Sequence, residues 1–205
     1  MVSLRSLKLL VFAVLIAATL PLFSQVVPAA SERGRMPIAF GVGRSDFSID
    51  WGPGRRMSGT TAWLDWTGIP YTPKVLRGLG LDIEGRDINS GLPAGVPRMR
   101  QDTALGGFSY TSRRFGRVQP YGKYLVGFGS IDFGPLPIAP RTYTHDTRTV
   151  YAPGGGLQVQ AFRGLSVRAD YEYQFWPRLF GPHSLNPNGF SFGAMYTLGG
   201  QPKSW

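Results

Sequence analysis

The stretch from Leu165 to Trp176, which reads LSVRADYEYQFW, alternates apolar and polar side chains without a break. Successive side chains of a β-strand point to opposite faces, so this stretch predicts a strand with one apolar and one charged face. The charged face carries Arg168, Asp170 and Glu172 in a row. A soluble sandwich would turn such a face toward water. A membrane barrel would turn it toward the lumen and would turn the apolar face toward lipid.

Seven further stretches carry the same alternation and predict seven further strands. They span about Pro37–Asp46, Gly59–Thr67, Leu79–Asp87, Asp102–Thr111, Val118–Ile131, Thr149–Phe162 and Gly189–Leu198. An even number of strands is typical of bacterial membrane barrels, and so are connections that alternate in length. The connections after strands four and six are short, although Gly68–Gly78 is long for a turn on that side. The pattern predicts an all-β fold, an eight-stranded antiparallel transmembrane up-and-down barrel.

The N-terminal region, residues 1–30, has the features of a secretory signal peptide. Arg5 and Lys8 form a basic start, an apolar run follows, and small residues offer a cleavage point after Ala29 or Ala30. The alternative is a membrane anchor, but the apolar run is short for a span of about 20 residues. We expect residues 1–30 to direct export through the general secretion pathway to the bacterial outer membrane, and residues 31–205 to form the barrel domain.

Composition narrows the classes of site and partner. The chain has no cysteine, which excludes disulfides and thiolate metal sites. The formal net charge is +10, and for an exported chain anionic lipid head groups are a better counter-charge than nucleic acid. We therefore expect outer-membrane lipid and lipopolysaccharide as partners, and no nucleic acid, metal or cofactor. Loop arginines suit lipopolysaccharide phosphates, although a solvated surface is the simpler interpretation. They are Arg55, Arg56, Arg98, Arg100, Arg141, Arg148 and Arg178.

Charged residues recur on the predicted inward faces of the strands. The set comprises Asp65, Asp82, Glu84, Arg86, Lys123, Arg168, Asp170 and Glu172. An eight-stranded barrel is narrow enough for side chains to fill it, and charges buried there must pair because unpaired burial is costly. The set therefore predicts a packed network of salt bridges that closes the lumen. The alternative is a narrow, porin-like ion path.

Aromatic side chains lie near the ends of the predicted strands on the outward faces. They are Trp66, Tyr110, Tyr171, Tyr173, Phe175 and Tyr196. Such residues are typical of the aromatic girdles at the two membrane interfaces of a barrel. The alternative is core packing in a soluble sandwich.

The sequence offers little support for a catalytic site. The two histidines, His145 and His183, fall in predicted external loops without a convincing third partner. The glycine runs are not followed by a strand-to-helix transition, so they do not form phosphate loops. We expect no enzymatic activity, with a lipid-modifying barrel enzyme as the least favoured alternative.

Four short motifs carry a resemblance to a known family. They are Gln119–Tyr121, Gly154–Leu157, Asp170–Tyr173 and Asn186–Gly193. On these motifs, residues 36 to 198 resemble the OmpA-type eight-stranded outer-membrane barrels. The resemblance implies a monomer with both termini in the periplasm. It also implies a structural or surface-interaction role that displays four external loops.

The resemblance also implies an assembly signal in the last strand. Ser191, Gly193, Tyr196 and Leu198 fit the pattern that the barrel-assembly machinery reads during biogenesis. One departure matters, because the family usually ends the chain on an aromatic residue at the end of this strand. Here seven residues follow Leu198.

Overall fold

The computed structural model describes residues 38–50, 56–67, 76–90, 99–133, 145–179, 181 and 183–198. These residues form a closed antiparallel barrel of eight strands and a separate two-stranded hairpin. The strands are β1 (Ile38–Ser48), β2 (Arg56–Thr67), β3 (Leu79–Asn89), β4 (Met99–Thr111), β5 (Val118–Phe133), β6 (His145–Phe162), β7 (Leu165–Tyr173), β8 (Trp176–Leu179), β9 (His183–Leu185) and β10 (Asn188–Thr197). The predicted signal peptide, residues 1–30, lies outside the described residues.

Each barrel strand pairs with its neighbours, and β10 closes the barrel by pairing with both β1 and β7. We call the end that carries the connections after β1, β3, β5 and β7 the loop end. The opposite end, with Arg77, the turn at 112–117 and the turn at 163–164, is the turn end. Within the described ranges no helix has the length and apolarity that crossing a membrane requires. The predicted eight-stranded antiparallel barrel is confirmed.

Side chains alternate between the outside and the inside of the barrel along every strand. On β1, for example, Phe40 and Val42 are exposed on the outer surface, whereas Ala39, Ser45 and Phe47 are buried inside. The outward positions in the middle of the strands are mainly apolar and the inward positions are mixed. The sequence alternation therefore predicts the correct face for these residues.

Several strands extend further at the loop end than the sequence pattern predicts. β2 begins at Arg56 rather than Gly59, and β4 begins at Met99 rather than Asp102. The extensions carry charged residues on their outward face. These charges break the apolar alternation, so the sequence predicts loops at these positions. In the barrel these charges pair across strands: Arg56 Nε lies 2.9 Å from Asp46 Oδ1. Ion pairing thus continues the sheet beyond its apolar part.

The segment between the predicted seventh and eighth strands, which the alternation leaves as a loop over 177–188, contains most of a two-stranded hairpin. β7 ends at Tyr173, and the chain then forms β8 and β9, which pair with each other. Arg178 has a φ of 57° and Gly181 a φ of 105°, so the backbone turns through left-handed conformations here. Pro177, Gly181 and Pro182 interrupt the alternation here, so the sequence does not predict this hairpin.

The hairpin completes an apolar cluster inside the loop-end half of the barrel, which we call the apolar plug. Its side chains come from the inward positions of β1 to β6, from Ile49 and from the hairpin. They are Phe47, Ile49, Met57, Ile88, Met99, Leu105, Leu125, Ile131, Val150, Ala152, Trp176, Leu179 and Leu185. The buried cluster forms a hydrophobic core that stabilises the barrel.

One glycine allows the largest side chain of the plug to fit. A Cβ atom at Gly129 would overlap the six-membered ring of Trp176. We expect Gly129→Val to reduce the free energy of unfolding by about 1–3 kcal/mol, because overpacking forces the ring or the strand to move. Denaturant titration of the refolded barrel, followed by tryptophan fluorescence, measures the loss.

The matched control is Gly85→Val, on the outer face of β3. A Cβ at Gly85 meets no atom within 4 Å, so the change in the free energy of unfolding should stay within about 0.5 kcal/mol. Equal effects of the two substitutions would contradict the packing of Trp176 against Gly129.

Candidate functional site

The eight charged residues predicted for the lumen all point into the barrel. Three come from consecutive inward positions of β3 and three from those of β7, which face each other across the barrel. β2 and β5 supply one each. We call the set the charged layer. It consists of Asp65, Asp82, Glu84, Arg86, Lys123, Arg168, Asp170 and Glu172, and the structure brings all eight into one network.

Arg168 is the centre of the first half of the charged layer. Its Nη1 atom lies 3.0 Å from Asp65 Oδ1, and its Nη2 atom lies 2.8 Å from Asp82 Oδ2. Its Nε atom donates to Asp170 Oδ2 at 2.9 Å. The planar guanidinium fork offers several donors in fixed directions, which is why one arginine can hold three carboxylates from three strands.

Aromatic rings flank the same guanidinium. The ring of Trp63 lies 5.2 Å from the Arg168 Cζ atom, and the ring of Tyr121 lies 4.7 Å from it. Cation–π contacts of this kind strengthen where water is excluded. Trp63 itself fits because Gly43 and Gly193 lie against its ring.

Lys123 and Arg86 form the second half. The Lys123 ammonium lies 2.5 Å from Glu84 Oε2 and 2.8 Å from Glu172 Oε2. Arg86 bonds to the other oxygens of both carboxylates, with Nη1 2.9 Å from Glu172 Oε1. Each carboxylate is therefore shared between two cations. The Arg86 guanidinium also stacks on Phe47, at 4.2 Å, and so joins the charged layer to the apolar plug.

Asp170 and Tyr121 connect the two halves. Asp170 Oδ1 lies 3.3 Å from the Lys123 ammonium, and its other oxygen accepts from Arg168. The Tyr121 hydroxyl donates to Asp170 at 2.6 Å and accepts from Arg168 Nε at 2.6 Å. The result is one hydrogen-bonded network that ties opposite walls of the barrel together.

Neutral side chains supply further hydrogen bonds that sequence reasoning missed. Gln174 donates to Glu172 Oε1 at 2.8 Å and accepts from Gln101 and Trp176 at 3.0 and 2.9 Å. Tyr121 and Gln174 lie on the inward faces of predicted strands, so the alternation alone could have placed them beside the charges. Trp63 shares the inward face of its predicted strand with Asp65, so the alternation could have placed it there too, although not against Arg168.

A small cavity of about 30 Å³ opens from the charged layer toward the turn end. It is lined by Ala39, Asp65, Thr67, Arg77, Gly78, Thr111, Arg114, Gln119, Gln158 and Thr197. Its size suits a water molecule or two. Arg114 donates to Gln160 at 2.8 Å and to Gln119 at 3.1 Å, and partial burial lowers the pKa of its guanidinium. The charged layer is thus approached from the turn end and covered by the apolar plug at the loop end.

The six predicted girdle residues all face outward and form two groups. Trp66, Tyr110 and Tyr196 lie at the turn end of their strands. Tyr171, Tyr173 and Phe175 lie at the loop end, where Phe175 forms an isolated bridge with Tyr151 beyond the end of β7. Each of the six exposes between 40% and 48% of its surface. Two aromatic rows therefore border the apolar outer face.

The predicted assembly signal lies on both faces of β10 and just beyond it. Tyr196 and Leu198 are exposed on the outside, whereas Ser191 and Gly193 face the lumen. The Ser191 hydroxyl lies 2.7 Å from that of Ser45 across the closing strand pair. Ser191 and Gly193 thus have packing roles in the closed barrel, and their recognition during assembly stays a prediction.

The histidines lie on strands rather than in loops, which corrects the expectation. His145 begins β6, and its ring nitrogens lie 3.4 Å from the Ser130 hydroxyl. His183 begins β9. Among the described residues no hydrogen bond joins a carboxylate to His145, and no group of three His, Asp or Glu side chains is placed to hold a metal. The loop arginines Arg55, Arg98 and Arg141 lie outside the described residues.

Replacement of Arg168 tests whether the charged layer stabilises the barrel. We expect Arg168→Met to reduce the free energy of unfolding by about 3–5 kcal/mol, because Asp65, Asp82 and Asp170 would stay buried without their cation. Adding Asp82→Asn to this variant should recover part of the loss, since one uncompensated charge is removed. Denaturant titration of the refolded barrel measures both changes.

Arg100→Met provides the control. Arg100 also pairs with two carboxylates, those of Asp87 and Asp102, but its side chain is 54% exposed. Its loss should cost less than about 1 kcal/mol. Similar losses for Arg100→Met and Arg168→Met would contradict a special structural role for the buried network.

Comparison with known proteins identifies the fold. No protein-family model matches the chain, and no curated protein matches it. Ail, the attachment invasion locus protein of Yersinia pestis, is similar in a structure solved with the heparin analogue sucrose octasulfate. The two chains are 18% identical, the TM-score is 0.51, and the match covers 79% of this chain and 97% of Ail.

Neisserial surface protein A (NspA) is similar as well. It is 10% identical, the TM-score is 0.55, and the match covers 78% of this chain and 96% of NspA. At these identities the likeness concerns the fold alone. The chain has the closed eight-stranded antiparallel barrel fold that small outer-membrane proteins use.

Proposed function

We propose that this protein is an integral barrel of the bacterial outer membrane with a structural or surface-interaction role in the cell envelope. The observation that carries the proposal is the outer surface of the barrel. All eight strands expose apolar side chains in their middle parts, among them Val42, Ile83, Phe128 and Phe192. Soluble monomers rarely expose apolar patches beyond a few hundred Å², whereas lipid covers such a band in a membrane barrel.

The ends of the barrel support an orientation. In the proposed arrangement the loop end faces the exterior and the turn end faces the periplasm, as in the OmpA-type barrels that the sequence resembles. Arg44 is exposed on the outer face of β1 and donates to Ser58 at 3.1 Å. Its remaining donors suit a lipopolysaccharide phosphate. Closure leaves no strand edge for a partner to pair with, which supports a monomer.

The inside of the barrel supports a closed lumen rather than a porin-like channel. The charged layer spans the lumen from β3 to β7, and the apolar plug covers it toward the loop end. An ion crossing this path would have to separate buried salt bridges and enter an apolar region, and both steps are costly. We also propose a non-enzymatic role, which the exposed and weakly hydrogen-bonded His145 supports.

Membrane insertion is tested by a matched pair of lysine substitutions. Val42 is 64% exposed in the middle of β1, and Ser48 ends the same strand. In lipid vesicles, Val42→Lys should reduce the free energy of unfolding by about 2–4 kcal/mol, and Ser48→Lys by less than about 1 kcal/mol. The folded wild type should also migrate differently from the boiled protein in detergent gels.

A soluble barrel would behave differently in both respects. Val42→Lys would then be neutral, because the lysine would lie in water. The protein would stay in solution without detergent, and its mobility would not change on heating. A neutral Val42→Lys, combined with detergent-free solubility and unchanged mobility, would contradict the membrane proposal.

The closed lumen is tested by conductance across a planar bilayer. We expect no steady current from the folded protein, because the charged layer and the apolar plug fill the lumen. A large porin inserted into the same bilayer serves as the positive control. Stable single-channel steps that need folded protein, and that disappear with boiled protein, would favour the porin-like alternative.

A further inference from the structure

Among the described residues, the turn end of the barrel carries positive charge without matching negative charge. Five described arginines lie there: Arg77, Arg113, Arg114, Arg117 and Arg163. None forms an ion pair with a carboxylate among the described residues. The carboxylate that lines the cavity at this end is that of Asp65, and Arg168 holds it inside the lumen. The turn end therefore presents a positive surface.

The loop end differs in this respect. Arg56 pairs with Asp46, Arg100 pairs with Asp87 and Asp102, and Arg148 pairs with Asp146. Most described cations at the loop end are thus neutralised by neighbours on the same surface. The excess positive charge of the described barrel is concentrated at the opposite rim.

The three turn-end arginines that do not line the cavity share their turns with exposed phenyl rings. Phe115 is 65% exposed and lies between Arg113 and Arg117, whereas Phe162 is 73% exposed and precedes Arg163. Arg77 and Arg114, in contrast, line the cavity at the mouth of the lumen. We call Arg113, Phe115, Arg117, Phe162 and Arg163 the basic–aromatic rim.

The two turns of the rim are tight and adjacent. Phe115 and Val118 exchange backbone hydrogen bonds of 2.8 and 3.0 Å around Gly116, whose φ is 63°. The backbone N–H of Gln160 on β6 donates to the Arg117 carbonyl at 2.9 Å and so ties the first turn to the strand that leads into the second. Both turns are therefore anchored in the sheet, and ordering their backbone on binding costs little.

We propose that the basic–aromatic rim binds the head groups of anionic phospholipids in the leaflet around the turn end. The inference rests on the proposed insertion of the barrel into a membrane. Guanidinium forks match phosphate oxygens, and each arginine near an anionic surface contributes to binding. Phe115 and Phe162 lie in the boundary between head groups and acyl chains. A carboxylate-bearing cell-wall glycopeptide would satisfy the arginines but would leave both phenyl rings in water.

The absence of cysteine makes a site-specific test possible. Ser112→Cys, in the same turn as Phe115 but outside the rim, accepts a single fluorophore, and the labelled full chain is reconstituted into phosphatidylcholine vesicles that contain spin-labelled phosphatidylglycerol or spin-labelled phosphatidylcholine. Quenching by spin-labelled phosphatidylglycerol should be stronger than quenching by spin-labelled phosphatidylcholine. This preference for phosphatidylglycerol should fall by about fivefold for each arginine–phosphate contact that is removed. The test variant carries Arg113→Gln, Arg117→Gln and Arg163→Gln, and added salt should weaken the wild-type preference.

A loop-end variant, Arg100→Gln with Arg178→Gln, removes two cations from the opposite rim and should leave the preference unchanged. Equal quenching by the two lipids in the labelled wild type would overturn the inference, and so would a preference that survives the triple substitution. Sedimentation with purified cell-wall sacculi that depends on the three arginines, without a lipid preference, would assign the rim to the glycopeptide instead.

Failure of this inference can be told apart from failure of the membrane proposal. A barrel that inserts into the vesicles and shows heat-dependent mobility, but has no lipid preference, refutes the rim alone. A chain that does not insert at all refutes the membrane proposal. The mobility measurement also shows that each variant is folded before its quenching is compared.

Discussion

Pairing of β10 with β1 is the interaction on which the rest of the structure depends. It runs from Ala39 opposite Thr197 to Ser48 opposite Asn188 and closes the sheet into a barrel. In lipid, each unpaired backbone group costs several kcal/mol, so a sheet with two open edges would not be stable there. Because the sheet closes with eight strands, the lumen is narrow. A lumen this narrow must be filled by side chains.

The residues inside the barrel are those that the apolar outer face leaves over. If lipid surrounds the barrel, as proposed, the outward positions are apolar, and every other residue is left to face the inside. The loop-end half fills its interior with the apolar plug, as a soluble core would. The middle uses charges instead, and their burial is tolerable because Arg168, Arg86 and Lys123 each hold more than one carboxylate. The two halves meet where Phe47 stacks on Arg86 and where Gln174 joins Trp176 to Glu172.

Period-two alternation made most of the barrel predictable, because a strand with one apolar face repeats that pattern whatever its neighbours are. It placed Arg168, Asp170 and Glu172 on the face that proves to be the inside. It did not predict the β8–β9 hairpin, whose proline and glycine content looks like loop and whose order comes from burial of Leu179 and Leu185. The loop-end extensions were missed because cross-strand ion pairs, rather than apolar residues, hold them together. Partners within the charged layer could not be assigned either, since pairing across a barrel depends on register as well as on face.

Because the lumen is filled in this way, the two ends of the barrel are the surfaces left for a partner outside the lipid. The charged layer uses its donors on internal carboxylates, so few remain for a ligand from outside. The described surface of the loop end largely neutralises its own charges, which favours display of the connecting loops over attraction of one class of ion. Among the described residues, the turn-end arginines form no ion pair, and the three that do not line the cavity share their turns with exposed phenyl rings that backbone hydrogen bonds tie to the sheet. Charge that folding leaves uncompensated is available for binding, and in the described part of this barrel most of it lies at the turn end.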